Sequence, residues 1–121
     1  MKSGMIKNVK VVGKSWGTEE WFANNEAENY CGKILTILEG ESTSMHYHAD
    51  KHETFFVLQG SLKVDWIDTK QGVENTTVLG CGGAMEMPRL RPHRLVALNG
   101  NVKLIEASTF HRDEDSFRAY R

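Results

Sequence analysis

The chain has 121 residues, 40% hydrophobic and 26% charged, with a formal net charge of −1. That length suits one domain with a real core, read here as residues 1–121 together, and is too short for two. The near-neutral balance offers no general attraction to nucleic acid or to an anionic membrane, and no apolar run approaches the roughly 18–20 residues that span a bilayer.

The opening Met1–Lys7 lacks the apolar segment of a secretory signal, so the expected location is cytoplasmic. Cys31 and Cys81 form no paired-cysteine motif and are expected as free thiols. Strand-like runs alternate with glycine-bearing turns. In chain order they are Val9–Val12, Trp21–Ala23, Gly32–Leu38, Ser44–His48, Thr54–Leu58, Leu62–Ile67, Thr76–Leu79, Ala84–Met87, Arg91–Leu98 and Val102–Ala107. Leu62, Val64 and Trp66 alternate with Lys63 and Asp65, the pattern of a half-buried strand. Glu19–Asn29 is the one stretch that suggests a helical turn. Gln59-Gly60-Ser61 and Asn99-Gly100-Asn101 are expected to close hairpins, and Gly80–Gly83 marks a further turn. Many short strands at regular intervals predict an all-β antiparallel sandwich or barrel. The polar tail His111–Arg121 is expected to be a capping segment or a subunit contact.

The chemistry concentrates between Gly40 and Gly60. Five residues separate Gly40 from His46; then come Tyr47 and His48, four residues, Glu53, six residues, and Gly60. Two histidines two apart on a strand project to one face. With a carboxylate just beyond, they suit a divalent transition metal, and His93 is the candidate for a fourth ligand. The absence of thiolate disfavours a purely structural zinc site. His52 neighbours Glu53 and is expected to point away, and His111 is read as a surface or pocket-rim residue.

The Gly40–Gly60 segment resembles the first signature motif of the cupin superfamily, matching every specified position. The second motif is matched at Gly82, Pro88 and His93; Leu90 replaces the usual glycine and Ala97 the usual asparagine. The pair spans residues 40–60 and 82–97. The resemblance implies a double-stranded β-helix, or cupin jelly-roll barrel, with one divalent metal (Mn, Fe, Zn, Ni or Co) held by His46, His48, Glu53 and His93. Four protein ligands on an octahedral metal leave room for a substrate, whereas zinc in a closed tetrahedron of the same four would be inert.

Further fragments resemble the phosphomannose isomerase and lyxose isomerase-like branch of that superfamily. They are Trp16-Gly17 with Glu20-Trp21, Tyr30-Cys31-Gly32-Lys33, Pro92-His93-Arg94, Ile105-Glu106-Ala107-Ser108-Thr109, and Asp113-Glu114-Asp115-Ser116 with Arg118. This branch implies isomerisation of a small sugar or sugar phosphate through an enediol, which requires a general base. A metal-bound Glu53 is a poor base because the cation lowers its basicity. By strand alternation Glu86 faces outward, while Glu106 shares a face with Leu104 and Val102, and Lys33 with Leu35 and Ile37. Glu106 and Lys33 are therefore the candidate catalytic groups. Arg94 is expected to turn away from the metal, and Arg89 and Arg91 to reach an anionic substrate at the barrel mouth. An Fe(II)-dependent dioxygenase and a non-catalytic sugar-binding cupin are the alternative functions. A homodimer is expected, with Val9–Val12 best placed to augment a neighbour's sheet.

Overall fold

The structure, a computed structural model, describes residues 5–120; Met1–Gly4 of the opening segment and Arg121 of the tail lie outside the described residues. Its strands are β1 (Lys10–Lys14), β2 (Gly17–Asn25), β3 (Tyr30–Ile37), β4 (Met45–Tyr47), β5 (Glu53–Gln59), β6 (Leu62–Asp68), β7 (Val73–Leu79), β8 (Ala84–Met87), β9 (His93–Ala97), β10 (Val102–Ser108) and β11 (Phe117–Tyr120). A single 3₁₀ turn, Asp113–Asp115, precedes β11. The strands form two antiparallel sheets, ordered β1-β2-β3-β10-β5-β8 and β11-β4-β9-β6-β7. This is the expected all-β jelly-roll. Among the described residues no helix is long and apolar enough to cross a membrane.

Period-two alternation sets what lies between the sheets. Four strands place an ionisable residue and then two apolar residues at successive positions of the inward face. They read Lys33, Leu35, Ile37 on β3; Glu53, Phe55, Val57 on β5; His93, Leu95, Ala97 on β9; and, running the other way, Glu106, Leu104, Val102 on β10. All twelve side chains are buried. One end of the barrel is thus a packed apolar core, closed by Leu62, Val64 and Trp16, and the other end is polar. The arrangement puts the reactive groups on rigid strands beside a well-filled core.

Three expectations change. Glu19–Asn29 holds no helical turn: β2 continues to Asn25, and Glu26–Asn29 is the tight turn of a hairpin with β3, with Asn29 at φ 57°. The turn at Gln59-Gly60-Ser61 carries the chain from β5 in one sheet to β6 in the other, and Asn99-Gly100-Asn101 likewise joins β9 to β10 across the sheets. A glycine turn reverses the chain but does not decide whether the next strand pairs with the last or faces it across a core. The two crossovers also touch. Gly60 has φ +85°, and a β-carbon there would lie 2.5 Å from the Asn101 carbonyl oxygen, so only glycine fits. The tail is a capping segment, with β11 laid antiparallel on β4. β1 pairs with β2 of its own chain.

Leu90, which stands where the second motif usually has glycine, adopts φ +68°. That conformation costs a β-carbon-bearing residue about 1–2 kcal/mol, and it aims the Leu90 N–H at the His48 carbonyl 2.7 Å away. The side chain is 60% exposed and buries little. Leu90→Gly should therefore stabilise the fold by roughly 0.5–1 kcal/mol after the extra freedom of glycine in the unfolded chain is subtracted. The check is a higher denaturation midpoint at unchanged slope; a lower midpoint refutes the account.

Candidate metal centre

Strand β4 carries His46, with His48 immediately after its end, and β9 lies beside it with His93 directly opposite His46. One ring nitrogen of each histidine lies within 4.8 Å of the other two. Each Nδ1 is committed to a backbone carbonyl: His46 to Ser44 at 2.8 Å, His93 to Arg91 at 2.9 Å, and His48 to Asp115 at 2.8 Å. A carbonyl only accepts, so each Nδ1 carries a proton and Nε2 is the nitrogen each ring has left to offer a metal. Three preset imidazole lone pairs on rigid strands fit a borderline transition metal. Burial and the neighbouring His93 push the His46 pKa down to about 3. Burial also lowers His48, against the opposing pull of Glu53. For His93, burial alone would act the same way, but the hydrogen bond and charge of Glu53 outweigh it and raise the value.

Glu53, at the start of β5, lies beside this trio. Its Oε2 is 3.2 Å from His93 Nε2 and 3.7 Å from His48 Nε2. Its Oε1 faces the Lys51 ammonium at 3.2 Å. Burial would raise the Glu53 pKa, but Lys51 and His93 together hold it well below the usual carboxylate range. Lys51 also donates to Glu106 Oε2 at 2.9 Å and to His111 Nδ1 at 3.0 Å. His111 Nε2 in turn donates to Asp113 at 2.9 Å. Burial and the charges of Lys51 and Lys33 lower the His111 pKa to about 4. Glu106 behaves oppositely to Glu53: burial, reinforced by the Glu53 charge, raises its pKa against the pull of Lys51.

These groups open onto a cavity of about 550 Å³ between the sheets, lined by His46, His48, His93, Lys51, Glu106 and His111 together with Lys33 and Arg118. A sequence comparison matches residues 33–108 to the cupin domain family, more than half of the chain. The chain belongs to the cupin domain family. No curated protein matches its sequence significantly. Among solved structures it resembles CapF, the capsular polysaccharide assembling protein of Staphylococcus aureus, with a TM-score of 0.82 and 13% identity over 94% of this chain and 35% of that one. It also resembles oxalate decarboxylase of Bacillus subtilis, with a TM-score of 0.82 and 17% identity over 93% of this chain and 30% of that one. This cupin spans about a third of the length of those proteins, and at such identities the likeness concerns the fold alone.

Within the cupin barrel, Glu106 and Lys33 are register partners on β10 and β3, and both line the cavity. The Lys33 ammonium does not go to Glu106. It sits 3.4 Å from Glu19 and 4.1 Å from the centre of the Trp21 ring. Glu86 is exposed and pairs with His52, which stays outside the histidine trio. Arg94 turns away to Asp65 at 2.9 Å. Arg89 and Arg91 do not reach the cavity. Arg89 is held by the Asp50 carbonyl at 2.7 Å and Arg91 lies over the Trp66 ring at 4.7 Å, so those two loop arginines stabilise the rim from outside. Ala97, in place of the usual asparagine, is buried and bonds through its backbone to Gly40 and Glu41.

Sequence reasoning overlooked Lys51, treating Ala49–His52 as a plain connection. The signal was present, since Lys51 lies two residues before Glu53 and shares its face. It also overlooked Asp115. The Asp115 carboxylate accepts from the N–H groups of Ala49, Asp50 and Lys51 at 2.8–3.0 Å, fixing the loop that carries Lys51. Burial opposes its ionisation, but those three donors keep its pKa below the ordinary value.

His93→Ala should cost this centre at least about 100-fold in metal affinity, the scale on which even loss of a supporting hydrogen bond acts. Elemental analysis of protein purified without added metal checks it, with His52→Ala as the control that keeps its metal. Retention of metal by His93→Ala contradicts the assignment.

Proposed function

We propose that this cupin is a metal-dependent isomerase or epimerase that acts on a small sugar or sugar phosphate through an enediol. The observation that carries the reading is the placement of Glu106, with its raised pKa, in the same cavity as the three imidazoles. The proposed ligands are His46, His48, His93 and Glu53, the last through Oε2. A bound divalent cation, one of Mn, Fe, Co, Ni or Zn, would supply Lewis-acid stabilisation of the negative charge that develops on the substrate. In the aldose-to-ketose direction Glu106 takes the proton from C2 and returns it to C1. His111, backed by Asp113, serves the accompanying transfer of the hydroxyl proton from O2 to O1. Lys51 keeps Glu106 oriented, and Lys33 adds positive potential to the wall facing the substrate oxygens.

Three imidazoles and a carboxylate also suit Fe(II), so an iron-dependent dioxygenase is the second reading. One experiment separates the two. Metal-loaded protein incubated in deuterium oxide with pentoses, hexoses and their phosphates should exchange the C2 hydrogen without consuming oxygen. Glu106→Gln should slow that exchange by roughly 10²–10⁴-fold, the usual contribution of a general base. Oxygen uptake without exchange favours the dioxygenase, and tight binding with neither leaves a sugar-binding cupin.

We further propose that residues 1–121 act as one domain and assemble as a homodimer. The six-stranded sheet ends in the open edges β1 and β8, and Val11, Phe56 and Leu58 are exposed. Sedimentation equilibrium at tens of micromolar should give twice the 13.7 kDa chain mass; a monomer refutes it. The unpaired thiols of Cys31 and Cys81 accord with a reducing, cytoplasmic setting.

A further inference from the structure

Strand β11 adds one more cation to the cavity wall. Its pairing with β4 sets Arg118 directly opposite His46 and Phe117 opposite Tyr47. Directly opposed residues project to the same face of a sheet. The Phe117 and Tyr47 rings stack on the outer face, centroids 5.3 Å apart at 24°, so Arg118 is on the same face as His46 and, although exposed to solvent, lines the cavity. Ser116, two residues earlier, lines it as well, as does Ser44, two residues before His46.

The other basic groups of the cavity wall are already engaged. Lys14 and Lys33 flank Glu19 at 3.9 and 3.4 Å, and Lys51 is bonded to Glu106 at 2.9 Å. Arg118, among the described residues, has no carboxylate partner. A guanidinium offers a planar fork of donors matched to two oxygens of one anionic group. Resting on the reading of this cavity as a carbohydrate site, the geometry points to Arg118 as the residue that recognises an anionic substituent of the substrate. Ser116 and Ser44 supply neighbouring hydroxyl donors. The preferred substrate is then an acidic sugar derivative, a sugar phosphate or a sugar acid, and not a neutral sugar.

Three probes with the same ring test this: D-glucose, D-glucose 6-phosphate and D-glucuronate, titrated calorimetrically into metal-loaded protein. At least one of the two anionic probes should bind tenfold or more tightly than glucose, and which one identifies phosphate or carboxylate as the recognised group. Arg118→Gln should abolish that preference, weakening the anion by about 10–100-fold, while glucose affinity, bound metal and circular dichroism stay as in the parent. Direct coordination of an anion to the metal would survive in Arg118→Gln and so does not imitate the effect. Should that variant lose metal or structure, Arg118→Lys carries the test, since it keeps the charge but lacks the fork and should lose about tenfold. Equal binding of all three probes, no binding of any, or an anion preference unchanged in the variants overturns the proposal. The isomerase reading stands apart, because it fails on absent C2 exchange even if Arg118 selects anions, and survives on persistent exchange even if Arg118 does not.

Discussion

The Lys51 ammonium lies between two carboxylates at the polar end of the barrel, and burial of the whole group depends on it. Glu53, Glu106 and Lys51 are each at most 5% exposed. Two carboxylates alone in such a place would repel each other and lose their hydration, and removing one partner from a buried ion pair typically costs about 3–5 kcal/mol. Lys51 meets the demand completely: its three protons have three acceptors, on Glu106, Glu53 and His111. One negative charge remains over the cluster, next to three imidazoles whose Nδ1 atoms are already committed to backbone carbonyls. A divalent cation is the species such a surplus favours. The same ammonium divides the labour of the two acids, holding Glu53 ionised while burial and the Glu53 charge leave Glu106 the more basic.

The strands serve this arrangement through order along their length. Each of β3, β5, β9 and β10 carries one buried ionisable residue followed by two buried apolar ones on its inward face, in the same sense along the barrel axis. The apolar layers hold the sheets together, and the polar layer is positioned by strands already fixed by that core. His46 and His93 each bond a carbonyl two residues upstream, just before their strands begin, so their ring orientation is set by local backbone. Such a centre is preorganised by secondary structure more than by loops.

What could be read from the sequence follows from the same local character. Alternation located the strands within one to three residues at most ends, and it put Glu106, Lys33 and Glu86 on their correct faces. The histidine spacing brought His46, His48 and His93 together because their backbone positions follow from β4, β9 and the closing of the barrel. The misplaced features are those decided by distant partners. Gly60 and Gly100 mark turns correctly, but the core decides that the strands on either side face each other without pairing. Arg89 and Arg91 sit in the right loop yet are captured by the Asp50 carbonyl and the Trp66 ring. Leu90 keeps the left-handed backbone that glycine normally supplies, a compensation that residue identity alone does not disclose.

The tail carries the longest-range part of this logic. Similarity to the cupin domain family ends at residue 108, yet His111, Asp113, Asp115 and Arg118 all lie beyond it. Asp115 reaches back 64–66 residues to three consecutive N–H groups of the Ala49–Lys51 loop, and its carbonyl fixes the His48 ring. His111 completes the coordination of Lys51, and β11 lays Arg118 against His46. The shared barrel therefore supplies the imidazole trio and its acid, while the segment after it sets the protonation of the surroundings and the polarity of the mouth. In a fold that serves many chemistries, the segment outside the common domain adds side chains to the cavity that the shared barrel does not supply.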